Sequence, residues 1–260
     1  MKSEFSVGLL GVPFDDNASF EKGPALAPDL IRQVLTSGSL NSATELNVEL
    51  KNNPRWLDLG DLSFSKENHF IEDIAQPSID FLSKNIRLLS LGGDHSVSHP
   101  LLKAYREFFP KLNILHIDAH SDLYDSFKGN RYANACPFAR VMEEGLCDRL
   151  VQIGIRTLNE HQRKQVEKFG VECHEMKDWL TGTLFDFEGP VYLSLDIDGI
   201  DPAFAPGVSH REPGGLTSRE VINIIHQINA PLVVAEIVEF NPHKDIDNIT
   251  SQLAAKLVKE

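Results

Sequence analysis

The chain has 260 residues, 42% of them hydrophobic, with a formal charge of -13 at neutral pH, which suits one large α/β domain spanning residues 1–260 and disfavours nucleic acid as a partner. The same acidity would modestly favour small cations. No stretch nears the roughly 18 to 20 apolar residues of a membrane span, and residues 1–5 lead straight into a strand-like run rather than a secretory core, so a cytoplasmic protein with no membrane partner is expected.

Taken in chain order, a strand over residues 5–10 precedes a helix over 28–35 and a polar, aperiodic loop over 38–53. Strands at 55–59 and 86–91 follow, the second running into Gly92-Gly93-Asp94-His95-Ser96. A helix over 100–109 leads to a strand at 113–117 that ends in Asp118-Ala119-His120-Ser121-Asp122. Beyond it come a helix at 138–145, a strand at 150–153, a helix at 159–169 and strands at 170–173 and 191–195, the last ending in Asp196-Ile197-Asp198. A long loop at 199–215 with three prolines and four glycines, a helix at 218–228, a strand at 232–238 and a helix at 249–258 complete the chain. Eight strands alternating with helices predict a largely parallel sheet covered on both faces.

The acidic and histidine clusters carry the chemistry. Alternate residues of an extended chain point the same way, so Asp118, His120 and Asp122 can converge where their strand ends, and so can Asp196 and Asp198. His95 sits just past its own strand and glycine turn. All three ends belong to the carboxyl edge of a parallel sheet, where open α/β folds place ligands. Alone, a DxD pair is usually a turn and GGDHS is ordinary turn chemistry with Ser96 free to cap a helix. Together, four carboxylates and two imidazoles without a thiolate read as a binuclear site for Mn²⁺ or a similar ion, with nickel, cobalt or iron as alternatives. Such a pair of ions makes a hydrolase the leading expectation. Cys136, Cys147 and Cys173 form no CxxC pair, which argues against a disulfide framework or zinc ribbon and fits a reducing compartment.

These motifs, with Ser194-Leu195-Asp196-Ile197-Asp198-Gly199-Ile200-Asp201-Pro202 continuing to Ala203-Phe204-Ala205-Pro206-Gly207, resemble those of the ureohydrolase family of arginases and agmatinases. The resemblance runs from Gly8-Leu9-Leu10-Gly11-Val12-Pro13 to Glu236-Ile237-Val238-Glu239-Phe240-Asn241-Pro242 and is closest to the plant-type arginases. It implies a three-layer arginase-like fold and two Mn²⁺ per chain, one held by His95, Asp118, Asp122 and Asp196, the other by Asp118, His120, Asp196 and Asp198. It further implies that Asp122 orients the attacking hydroxide, that Glu239 grips the guanidinium, and that the chain forms a homo-oligomer, a trimer or hexamer. L-Arginine hydrolysis to L-ornithine and urea is the activity implied, with agmatine or another small cationic guanidino compound as the alternative substrate. Outside this class stand a metal-dependent deacetylase, which keeps a single zinc, and a weakly active regulatory relative.

Asn134 departs from the family pattern, which has a histidine there regarded as a proton shuttle. An amide can hydrogen-bond a substrate or water but cannot titrate. His210, on the loop at 199–215, is the candidate for a compensating acid. Arg156, Thr157 and Asn159 match a loop that in arginases contacts the amino-acid end of the substrate; Asn159 is the candidate contact and Arg156 reads as structural. His116 lies deeper in its strand and suits a supporting hydrogen bond to a ligand. The His95 to His99 spacing mimics a helical zinc pair without the required glutamate and reads as coincidence. Cys136 has no histidine close in sequence to activate it as a nucleophile.

Overall fold

The structure, a computed structural model, describes residues 5–65, 69–183 and 185–260; residues 1–4, read above as a lead-in to the first strand, lie outside them. Eight strands form one sheet: β1 (Ser6–Val12), β2 (Trp56–Asp61), β3 (Ile86–Gly92), β4 (Asn113–Ile117), β5 (Arg149–Ile155), β6 (Glu172–Glu175), β7 (Val191–Asp196) and β8 (Leu232–Val238). Their order is β2-β1-β3-β8-β7-β4-β5-β6, and every pairing is parallel. The central strands are buried on both faces, which is why they read as continuous apolar runs rather than alternating ones.

Helices cover both faces. On one side α1 (Ala27–Thr36), α6 (Ser218–Gln227) and α7 (Ile249–Lys259) supply Ile31, Val34, Val221, Ala254 and Leu257 to a core shared with Leu9, Leu91 and Leu115. On the other side α2 (Phe70–Ser83), α3 (Ser98–Phe108), α4 (Pro137–Glu143) and α5 (Glu160–Phe169) pack Ile74, Leu101, Phe138 and Val166 against Leu10, Leu88 and Ile114. This is the three-layer arrangement the alternating pattern predicts.

Two elements differ from the sequence reading. Helix α2 has no counterpart in it, because Pro77 stands in the middle of the segment and proline removes a backbone donor. Packing of Phe70, Ile74, Ser78 and Leu82 into the core compensates. The strand read at residues 170–173 begins instead at Glu172: Gly170 takes a left-handed conformation, φ 64°, and closes helix α5.

Chain order explains where ligands gather. After β3 the chain leaves its neighbourhood and starts β4 three places away in the sheet, with β8 and β7 later filling the gap. The carboxyl ends of β3, β8, β7 and β4 therefore lie side by side at the switch in strand order.

Candidate metal centre

A residue of the site stands at the end of each of those four strands or within three positions beyond it. Past β3, Gly93 lies so close to Phe14 that a Cβ would stand 1.8 Å from its carbonyl oxygen, so only glycine fits. Asp94 then caps a short turn, His95–Val97, by accepting the Ser96 amide, and His95 follows, fully buried. Past β4, Asp118 passes between Gly154 and Gly199, where added methyl groups would stand 2.7 and 2.8 Å from its backbone. Asp196, at the end of β7, accepts the Asp198 amide at 2.7 Å and holds Asp198 on the same side.

The carboxylates converge on the two histidines. His95 Nδ1 lies 3.1 Å from Oδ2 of each of Asp118, Asp122 and Asp196. His120 Nδ1 lies 3.1 Å from Asp198 Oδ2 and 3.3 Å from Asp118 Oδ1. Asp118 thus turns one oxygen toward each histidine. His116 Nδ1 accepts from the Gln152 amide at 3.0 Å, which leaves its Nε2–H to donate to Asp118 Oδ2 at 2.8 Å. It fixes Asp118 from behind.

The donor set fits divalent cations. Ser194 Oγ donates to Glu236 at 2.6 Å, so at 2.9 Å it receives the Nε2–H of His95. The opposite nitrogen, Nδ1, is buried without a well-directed hydrogen bond, its lone pair aimed at three carboxylate oxygens. A cation held between them would reconcile that arrangement. Without one, burial and the charges of Asp198 and Asp118 push the Asp196 carboxyl well above its usual range, and burial with Asp118 lifts Asp122 to about 7. Burial would raise Asp118 as well, but His116, His120 and His95 hold it well below. Burial disfavours charge on His95, yet Asp118, Asp122 and Asp196 raise it well above the ordinary histidine range. Metal charge would neutralise the cluster and relieve this crowding of buried carboxylates. Asp118, His120 and Asp198 also have ligand atoms within 4.8 Å of one another, the spacing one ion requires.

A cavity of about 220 Å³ opens above the cluster, lined by His120, Asp122, Asp196 and Asp198, with Asn134, His210 and Glu239 on its walls. Asp122 and Glu239 both hold left-handed backbone, φ 49° and 62°, a strained state for residues with side chains that recurs at functional sites. Glu239 donates its amide to Gly93 and accepts the His95 amide at 2.9 Å on Oε1. Asn134 Nδ2 donates to the same oxygen at 2.8 Å. The ring of His210 stands 5.6 Å from that of His120 and 5.3 Å from Phe20.

Asn159 is placed differently from its neighbours in the reading. Its side chain caps α5, accepting the Gln162 amide at 2.9 Å, and donates to Tyr124 Oη at 2.5 Å. Tyr124, not Asn159, lines the cavity. Arg156 braces loops, donating to the carbonyls of Gly154, Asp198, Gly199 and Glu212. His99 pairs with Glu144 at 2.9 Å, apart from the cluster, and burial pushes the Cys136 thiol up to about 12. Ser19, Phe127, Ala135 and Gln162 also line the cavity; they carry no motif, and only Gln162 had a local signal, as the third residue of a capping box.

Comparison with known proteins extends this picture. The arginase family model matches residues 5–260. Arginase 1, mitochondrial, of Arabidopsis thaliana is 46% identical over 98% of this chain and 80% of its own length, and an agmatinase of Neisseria meningitidis serogroup C is 35% identical over 97% and 84%. The structure of the arginase from Medicago truncatula superposes with a TM-score of 0.89 at 39% identity, covering 98% of this chain and 86% of that one. The mitochondrial designation of such relatives overturns the cytoplasmic expectation: among the described residues no helix is long and apolar enough to cross a membrane, but that does not separate cytosol from an organelle interior. A match in sequence and fold from end to end shows that this chain belongs to the arginase family.

Proposed function

We propose that this protein is a binuclear manganese amidinohydrolase that converts L-arginine to L-ornithine and urea. The observation that carries the reading is the buried His95 Nδ1 facing three carboxylate oxygens at 3.1 Å, beneath a cavity with a strained glutamate on its wall. His95, Asp118, Asp122 and Asp196 would hold one Mn²⁺, and Asp118, His120, Asp196 and Asp198 the other, with nickel, cobalt or iron as possible substitutes. Bound there, the ions would supply hydroxide from water at neutral pH.

The protein's own residues do the rest. Glu239 offers a carboxylate to the planar guanidinium, a charge-assisted contact that places the substrate carbon over the cluster. Asp122 reaches both the His95 side of the cluster and the cavity, which suits it to orient the attacking water. His210, which also lines the cavity, is the group available to protonate the leaving amine, a role Asn134 cannot fill. One catalytic domain, assembled into a homo-oligomeric trimer or hexamer, is the form in which we expect it to act on a small guanidino substrate.

Agmatine is the second substrate to consider, given the agmatinase relatives. Urea release from arginine, agmatine, guanidinobutyrate and guanidine by the manganese-loaded protein tests the reading. Arginine is expected to be turned over fastest; a preference for agmatine reassigns the substrate, and turnover of none ends the proposal.

A further inference from the structure

Asn134 does more than leave out a titratable group. Its side chain bridges two parts of the cavity wall: Nδ2 donates to Glu239 Oε1 at 2.8 Å, while Oδ1 accepts the backbone amide of Ser19 at 3.0 Å. Its own amide donates to the Asn17 carbonyl at 3.0 Å. Asn17 is tied in turn to the turn after β3, its amide donating to Asp94 Oδ2 at 3.0 Å and its Nδ2 to Ser96 Oγ at 3.2 Å. Asn130 Nδ2 donates to Asn17 Oδ1 at 3.1 Å. The segment after β1, the turn after β3 and the loop carrying Asn134 are thereby locked to one another.

At the centre of this lock is one oxygen. Glu239 Oε1 accepts from both the His95 amide and Asn134, whereas Oε2 has no hydrogen-bond partner among the described residues and the side chain lines the cavity. A buried carboxylate with two donors on one oxygen keeps a single rotamer and presents the other oxygen in a fixed direction. An amide performs this bridge because it is donor and acceptor at once in one protonation state.

We propose that Asn134 is a positioning residue: by tying Glu239 to the Asn17–Ser19 segment, it aims Glu239 Oε2 at the guanidinium and so sets substrate affinity rather than proton delivery. This rests on the amidinohydrolase reading above. It makes Asn134 a device for binding the shared guanidino head of any of the candidate substrates.

The test compares wild type with Asn134→Asp and Asn134→Ala, all manganese-loaded. The aspartate keeps an acceptor for the Ser19 amide but presents an oxygen to Glu239; the alanine removes both bonds. Two quantities are read: KM and kcat for arginine, and binding of guanidinium ion by isothermal titration calorimetry. We expect each variant to raise KM at least tenfold and weaken guanidinium binding to a similar degree, with kcat within about threefold of wild type and metal content unchanged. Unchanged KM and guanidinium binding, or a kcat loss of tenfold or more with KM unchanged, would overturn the proposal. Because the calorimetric readout needs no turnover, a wild type that binds guanidinium without releasing urea fails the activity reading while leaving this comparison decisive.

Discussion

Asp118 is the residue on which the two halves of the centre depend. One of its oxygens faces His95 and is fixed by His116; the other faces His120. The Asp118→Asn variant is expected to lose bound metal at both positions, because an amide presents only one acceptor atom and the ligand shared by the two positions changes character at both at once. Metal analysis should find well under one ion per chain, with circular dichroism still native; two retained ions would contradict the shared role. The motif made the identity of this residue visible in sequence, but the pairing of each oxygen with a different histidine was not. That depends on the His116 and Gln152 contacts, which join β4 to β5.

At the level of elements, the start of α5 shows how one residue type serves two readings. The family resemblance placed Asn159 on a loop beside the site, and the fold uses its side chain as the reciprocal cap with Gln162. Asn159→Ala is expected to cost about 1 kcal/mol, the usual value of a lost helix cap, seen as a fall of a few degrees in melting temperature. KM should stay within about twofold, because the residue reaches the cavity only through Tyr124; a tenfold rise in KM would restore it to direct substrate contact. The central strands were legible because full burial made them apolar throughout. Helix α2 was not, because the contacts that compensate for Pro77 come from distant parts of the chain, Leu10, Leu88 and Leu101 among them.

For the molecule as a whole, folding and metal binding should be linked. Folding brings four buried carboxylates together, and a ligand that binds only that state adds stability that grows with the logarithm of its concentration. Removal of metal with a chelator is therefore expected to lower the melting temperature, and manganese to restore it in a concentration-dependent way; a melting temperature indifferent to both would break the link. Acid stability has a separate source on the surface. Arg163 first, and Lys177 after it, hold the Glu175 carboxyl down at about 2, below its ordinary 4.5. A depressed folded value contributes stability above pH 4.5 that disappears as pH falls toward 2. Glu175→Gln should accordingly flatten the pH dependence of urea-unfolding free energy in that window, and an unchanged slope would show the pair to be screened into irrelevance.

The sequence by itself determined the parallel α/β architecture and singled out the acidic and histidine clusters at the strand ends, because apolar runs and the alternation of side chains at strand ends are local properties written in the order of residues. Only the tertiary structure decided what Asn134, Asn159 and Ser19 do. Their partners lie 105, 35 and 115 positions away, and a hydrogen bond across such a separation leaves no periodicity in the chain. The clearest case is Asn134: in sequence it is a missing proton donor, and in the folded protein it is the group that fixes Glu239.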